Sequence, residues 1–411
     1  MAKFLTLDDV NVKNKVVLVR VDFNSSVNPK TKKILEDARI RAHAETTIKE
    51  LSDKGAKVVI LAHQGRKGDP DFIPLRQHAE ILGKILKKPV KYVDDLYGEK
   101  AKNAIKNLKS GEILVLENVR TFSDETKNGT PEEQAKTDLV KNLAPLVDIF
   151  VNDAFAAAHR AHASIVGFTA VLPSYAGRVM ERELNSLSKV LENPEKPCIF
   201  ILGGAKADDS LEISKYVLDK QIANQVLTGG VVGQVFLAAK GVDLGKPATE
   251  YLNKNDLTQF LLGIKSLIEK YPEKIRTPSD LAVEVKGKRK EISLKELPTE
   301  YPIFDIGANT VDDYCGIIDK AKSIVISGPM GVYENKEFDF GTKRVLEEIA
   351  KSKAFSLAGG GHTISAIEEF GLTKKISYIS TAGGALIEFL MGKKLPGVAA
   401  LEQAAARISK T

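Results

Sequence analysis

Short runs of apolar, largely β-branched residues recur along the chain, and each is followed by a longer stretch with apolar positions three and four apart. In the first half the runs fall at 16–21, 58–62, 113–117 and 147–151, with helical spacing over 37–54 and 131–143. In the second half they fall at 198–202, 224–227, 323–326, 354–358 and 376–380. The runs are continuous rather than alternating, as in parallel strands buried on both faces. Alternation of such strands with helices through both halves predicts an α/β fold of two Rossmann-like, doubly wound parallel-sheet domains. Between proline signals at 173 and 197 lies a charged amphipathic stretch, about 179–192, with Leu184, Leu187 and Leu191 on one face. It reads as a hinge helix. The expected organisation is an N-terminal domain over 1–176, the interdomain helix over 177–196 and a C-terminal domain over 197–394. A final segment, 395–411, is expected to pack back on the first domain. The lysine-rich stretch 241–301 predicts a surface helix and a β-hairpin.

Length agrees with two cores, since 411 residues exceed what one core comfortably holds. Hydrophobic content of 43% and charged content of 28% are ordinary for a globular protein. The net charge of +6 is spread among acids, which argues against a nucleic-acid partner. The run Lys286–Lys290 predicts a solvated hairpin or loop tip. Two cysteines, Cys198 and Cys315, build no disulfide framework. With no leader-like apolar core in the first ten residues and no membrane-length run, a cytoplasmic protein without a membrane partner is expected.

The halves differ in chemistry. Five of the six histidines and seven of the thirteen arginines lie at or before position 162. Several follow predicted strands: Arg20 and Asp22, His63 and Arg66, Arg120, then His159 and Arg160. Ligands of open parallel sheets bind beyond the carboxyl ends of the strands. A crevice rimmed by such residues suits a compact polyanion, because the guanidinium fork grips carboxylate and phosphate. For His159 and His162 a metal site, a buried structural role and an anion clamp are all open; the metal reading lacks a third ligand nearby in sequence. The second half has glycine at the corresponding places: 201–206, 227–230, 327–334, 358–363 and 380–385. Glycines there let backbone approach a ligand and turn amides toward phosphate oxygens, although tight turns also use glycine for steric reasons alone. Neither a GxxxxGK[ST] loop nor a strict GxGxxG occurs. One domain for a polyanion and one for a nucleotide imply phosphoryl transfer.

The stretches VVLVRVDFN, LAHQGR, LENVR, VNDAFAAAHRAHAS, GGAK, GPMGVYE, GTK, GGGHT and STAGGA…LPGVAAL stand in one order over nearly the whole chain. In that order they resemble the phosphoglycerate kinase family. The resemblance implies reversible phosphoryl transfer from 1,3-bisphosphoglycerate to ADP, giving 3-phosphoglycerate and ATP, in glycolysis and gluconeogenesis, by hinge closure of two domains. It implies ATP or ADP and Mg2+ as cofactors, and a monomer is expected. Carried over by motif, Asp22, Asn24, Arg39, His63, Arg66, Arg120 and Arg160 resemble the phosphoglycerate site, with Arg39 and Lys206 catalytic. Gly203, Gly204, Lys206, Gly229, Gly230, Val332, Glu334, Gly360, Gly361 and Thr363 resemble the nucleotide site. His159 is expected near the distal phosphate with Arg160, and His162 in a structural role.

Three positions depart from many members of that family: Ser210 replaces a second lysine, His362 an aspartate, and Ser327 an asparagine. Archaeal members share the first two changes, so the resemblance is to the archaeal type. Imidazole is a poor magnesium ligand; Asp208 and Asp209 are the nearest carboxylates in sequence, either can instead serve the start of their helix, and Asp209 is the candidate for metal contact. The competing readings are a non-catalytic scaffold that keeps the fold and another two-domain α/β enzyme such as a nicotinamide dehydrogenase. The latter lacks the glycine turn it would need.

Overall fold

The computed structural model describes residues 4–408, so the outermost residues of the expected 1–176 and 395–411 segments lie outside it. The chain divides into two compact units: one ends at Leu184 and resumes at Lys394, and the other is Asn185–Lys393. Among the described residues no helix is long and apolar enough to cross a membrane.

The first unit is built on β1 (Val16–Arg20), β2 (Lys57–Leu61), β3 (Val90–Tyr92), β4 (Ile113–Val115), β5 (Ile149–Asn152) and β6 (Ser174–Ala176). They form one parallel sheet in the order β3-β4-β2-β1-β5-β6. Val17 and Val19 enter one buried cluster, and Leu18 enters another on the opposite face. That two-sided burial is why the run is continuous in sequence. The chain winds outward from β1 in both directions, so the switch of direction falls between β1 and β5.

The second unit repeats the plan with β7 (Cys198–Leu202), β8 (Gln225–Thr228) and β9 (Ile275–Arg276). The antiparallel β10 (Asp280–Val285), β11 (Lys288–Ser293) and β12 (Ile303–Ile306) follow, then β13 (Ser323–Ser327), β14 (Phe355–Gly359) and β15 (Tyr378–Ser380). The main sheet is β15-β14-β13-β7-β8-β9, all parallel, with its switch between β7 and β13. β10 and β11 form the expected hairpin. Lys286 (φ 52°) and Gly287 (φ 78°) make its two-residue turn, a left-handed pair that suits strand twist. The basic run sits on this hairpin and is partnered, Lys288 by Glu337 at 2.8 Å and Arg289 by Asp305 at 2.7 Å.

Two local expectations need correcting. The helix expected over 131–143 is two pieces, Pro131–Gln134 and Asp138–Leu143. The Thr137 hydroxyl donates to the Gln134 carbonyl at 2.7 Å and closes the first piece. The stretch 241–301 carries two α-helices, Lys246–Lys254 and Leu261–Lys270, rather than one. Leu244 and Ala248 there share a small core with Leu281, Val283 and Ile292 of the hairpin.

The linker helix spans Arg178–Leu191 and crosses the boundary between the units. The last helix, Pro396–Ile408, lies on the first unit. Its Ala400 joins a cluster with Ala154, Ala157, Ile165 and Val166. The Gly397 amide donates to the Ala158 carbonyl at 2.8 Å.

Candidate functional site

In the first unit the cationic side chains gather where β1, β2, β4 and β5 end. Arg20, the last residue of β1, is 2% exposed. Its Nε donates to Ser164 Oγ at 2.8 Å, and its guanidinium lies 3.3 Å from His63 Nδ1. Burial lowers its pKa to about 10, so it remains charged at neutral pH. Two residues on, the buried Asp22 carboxylate accepts from Arg39 Nη1 at 2.6 Å. Arg39 lies in the first turn of the helix Ala38–His43 and is partly exposed. Asn24 accepts from the Gly65 amide at 2.8 Å, which fixes the loop after β2. His63 is driven well below 6.5, first by burial and then by the charges of Arg20, Arg120, Arg160 and Arg39. It is therefore a neutral imidazole in a cationic field.

Arg66, Lys67, Arg120, Arg160 and His162 line one cavity of about 440 Å³, and no carboxylate among the described residues lines it. Arg120 is nearly buried and donates to the Gly65 carbonyl. Burial lowers the pKa of both Arg120 and Arg160. His162 immediately precedes a π-helical turn, Ala163–Gly167, and burial pushes it down to about 3. It is a neutral wall residue, 3.9 Å from Glu125. His159 is half-buried beside Arg160. Asp22 and Arg39 are thus paired, Arg66, Arg120 and Arg160 share a cavity, and Asn24 holds the loop that carries Arg66.

Two of the residues that brace this basin, Glu125 and Ser164, escaped the sequence reading. Glu125, 1% exposed, accepts from the Ser164 hydroxyl at 2.5 Å and amide at 3.1 Å, and Ser164 in turn accepts from Arg20. Arg20 carried a signal, its place at a strand end. Glu125 and Ser164 carried none.

In the second unit the loops after β7, β8, β13 and β14 interlock. The Gly203 amide donates to Ser327, Gly204 to Pro329, Gly229 to Leu202 and Gly230 to Met330, at 2.7–3.1 Å. A Cβ at Gly203 would stand 2.2 Å from the Pro329 carbonyl, and one at Gly229 would stand 2.5 Å from Met330 Sδ. These four glycines serve close loop packing. Their amides are engaged with the carbonyls of neighbouring loops, so what these four glycines offer a ligand is close backbone approach rather than free N–H donors. A Cβ at Gly361, by contrast, would meet nothing within 4 Å. Gly361 begins the helix Gly361–Glu369, whose first amides lack intrahelical partners. Gly360 (φ 88°) turns the chain into it. Thr363 is buried and accepts from the Gly328 amide at 2.7 Å. Val332 is exposed, and Glu334 lies 3.3 Å from His362 Nδ1.

Lys206 stands immediately before the helix Ala207–Asp219 and projects into solvent, its Nζ 3.8 Å from Asp209. Asp209 is mostly shielded. Burial raises its pKa, the Asp208 charge adds to this, and Lys206 and Lys393 oppose it. Among the described residues no three His, Cys, Asp or Glu side chains cluster as a protein-only metal site. A single carboxylate held at a cost in ionised form does fit magnesium, which binds through one or two carboxylates together with substrate phosphates. His362 is exposed beside Glu334 and Ser210 is buried, and neither side chain is a carboxylate.

Two doubly wound units, one with guanidinium groups at its strand ends and one with interlocked glycine turns, are the build of a two-domain α/β phosphotransferase. The family model described as phosphoglycerate kinase matches residues 7–393. A phosphoglycerate kinase of Methanococcus maripaludis is 51% identical over 409 residues, covering 97% of this chain and 98% of that protein. One of Methanothermobacter thermautotrophicus is 48% identical over 401 residues, covering 98% and 97%. The crystal structure of the enzyme from Pyrococcus horikoshii superposes with a TM-score of 0.88 at 43% identity, covering 98% of this chain and 99% of that one. The enzyme from Coxiella burnetii gives 0.85 at 35% identity, covering 98% and 100%. The chain belongs to the phosphoglycerate kinase family, as a kinase whose phosphoryl acceptor is a carboxyl group.

Proposed function

We propose that the first unit holds 3-phosphoglycerate or 1,3-bisphosphoglycerate, that the second holds ADP or ATP, and that the units close about the linker helix for reversible phosphoryl transfer. The observation that carries the placement is the cavity shared by Arg66, Arg120 and Arg160, with Lys67 beside them and no carboxylate among the described residues lining it. Three guanidinium forks suit the distal phosphate. Asp22, Asn24 and His63 orient the glycerate end, and Arg39 faces the phosphoryl group in flight. In the second unit Val332 and Glu334 flank the adenosine, while Lys206, Gly360, Gly361 and Thr363 stand at the phosphates. Gly203, Gly204, Gly229 and Gly230 shape the floor beneath them.

In the ATP-consuming direction the nucleophile is a carboxylate, ionised at neutral pH, so no general base is needed. The obstacle is repulsion between that carboxylate and the γ-phosphate. Arg39 from one unit and Lys206 from the other offset it, in a site that closure strips of water. Asp209 would hold magnesium together with phosphate oxygens, and the ion would supply further charge neutralisation there. A cytoplasmic setting accords with the absence of a membrane-spanning helix among the described residues.

A coupled assay of ATP formation from 1,3-bisphosphoglycerate and ADP tests the activity; no turnover would favour the scaffold reading. In the same assay Arg160→Ala should raise the KM for phosphoglycerate about 30-fold, or ~2 kcal/mol, with the nucleotide KM nearly unchanged. A wild-type phosphoglycerate KM would remove Arg160 from the site. Asp209→Asn should raise the magnesium concentration for half-maximal rate several-fold, while His362→Ala changes it little. The opposite ranking would place the metal at the imidazole.

A further inference from the structure

A buried histidine and aspartate that the mechanism above does not use connect the glycerate end of the basin to the linker helix. The helical segment that carries Arg39 runs as Ala38–His43, a π turn Ala44–Ile48, and Lys49–Asp53. Arg39, His43, Thr47 and Glu50 are spaced by four, four and three residues, which sets them along one stripe. Each meets a partner that belongs to the basin or to the start of the linker helix. Arg39 pairs with Asp22. His43 Nε2 accepts from the Asp22 backbone N–H at 3.1 Å, and its Nδ1 lies 2.6 Å from Asp153 Oδ2. Thr47 Oγ1 accepts from the Arg178 amide at 2.8 Å, and Glu50 takes the Arg178 guanidinium at 2.7 and 2.8 Å. The other oxygen of Asp153 accepts from the Val179 and Met180 amides, at 2.9 and 3.3 Å, in the first turn of the linker helix. Gly177 makes room for this, since a Cβ there would stand 2.2 Å from that oxygen.

The geometry assigns the tautomer. Nε2 faces a donor that cannot reverse, the Asp22 amide, so it presents a lone pair. The proton is then on Nδ1, donated to Asp153, and the imidazole is neutral. The His43 and Asp153 side chains are at most 4% exposed. One carboxylate thereby orients the ring that holds the Asp22 backbone and caps the helix that leads out of the unit.

We propose that His43 and Asp153 are positioning residues for phosphoryl transfer. Together they hold the Asp22–Arg39 pair in register with the start of the linker helix. The inference rests on the assignment of Asp22 and Arg39 to the phosphoglycerate site.

Asp153→Asn separates the two duties of the carboxylate. The amide oxygen still accepts from Val179 and Met180, but the amide NH2 now faces Nδ1. The ring must turn a lone pair to it and move its proton to Nε2, against the Asp22 N–H. His43→Asn breaks the same link from the other side: its short amide donates to Asp153 and falls short of Asp22. Each variant should lower kcat/KM for 3-phosphoglycerate about ten- to a hundredfold with the ATP KM unchanged. The double variant should be no worse than the more impaired single, because both sever one link. Nitrogen-15 spectra of the imidazoles should show the Nδ1–H tautomer of His43 in the wild type and the Nε2–H tautomer in Asp153→Asn. Wild-type kinetics in His43→Asn, with Arg39→Ala impaired, would overturn the positioning role and leave the site assignment standing. An unimpaired Arg39→Ala would instead sink the assignment on which it rests. Should Asp153→Asn not fold, His43→Asn and the wild-type tautomer decide alone.

Discussion

Arg39→Ala is expected to lower turnover about a thousandfold in both directions, the scale found when an arginine facing a transferring phosphoryl group is removed. The nucleotide Kd should stay within about twofold, because Lys206, Val332 and Gly361 lie on the other unit. Asp22 holds the guanidinium through a 2.6 Å contact on one side, and the side chain is still partly open to solvent. It is therefore fixed in direction and free to meet an incoming anion. Arg39→Lys should recover little, since an ammonium cannot bond Asp22 and a phosphoryl oxygen with the same planar fork. Steady-state kinetics with an ADP titration checks this. Turnover near the wild-type value would remove Arg39 from the reaction.

The second large effect is on stability in acid. His78 is fully buried, within 3.1 Å of Gln64 through Nε2 and stacked on Phe23, and burial brings it down to about 4. His63 is lowered further in the same direction. These groups have folded pKa values below the unfolded value of about 6.5, so between the two the unfolded chain takes up protons that the folded chain refuses. Their contribution is complete above about pH 6.5 and is lost as pH falls toward 4. For His78 alone the loss approaches ~3 kcal/mol, and His63 adds to it, against a total stability on the order of 5–15 kcal/mol. Urea unfolding at pH 7 and pH 5 should show a marked drop in midpoint. His78→Gln should flatten the slope by about 1.4 kcal/mol per pH unit between pH 6 and 4.5. An unchanged slope would show that His78 protonates without cost in the folded state.

Central strands were legible because both their faces are buried, which leaves a continuous apolar run. β3, β6 and β9 were not: each sits at a sheet edge and has two or three residues. Arg66, Arg120 and Arg160 were visible as cations at strand ends, and the parallel sheet brings those ends together. Glu125 with Ser164, and His43 with Asp153, were invisible, because 39 and 110 residues separate the partners and only the register of the fold joins them. The glycine clusters were visible as turns. Whether an amide faces a ligand or the next loop depends on how β7 and β13 sit side by side, which no local pattern encodes.

The return of Pro396–Ile408 to the first unit has a consequence for biosynthesis. Residues 185–393 form a continuous unit, whereas the first is interrupted and draws Ala400 and Gly397 from the far side of that interruption. On the ribosome the second unit has its whole chain available before the helix that completes the first has been made. The apolar wall formed by Ala154, Ala157, Ile165 and Val166 is thus completed by a residue, Ala400, that is added only after the whole of the intervening unit has been synthesised.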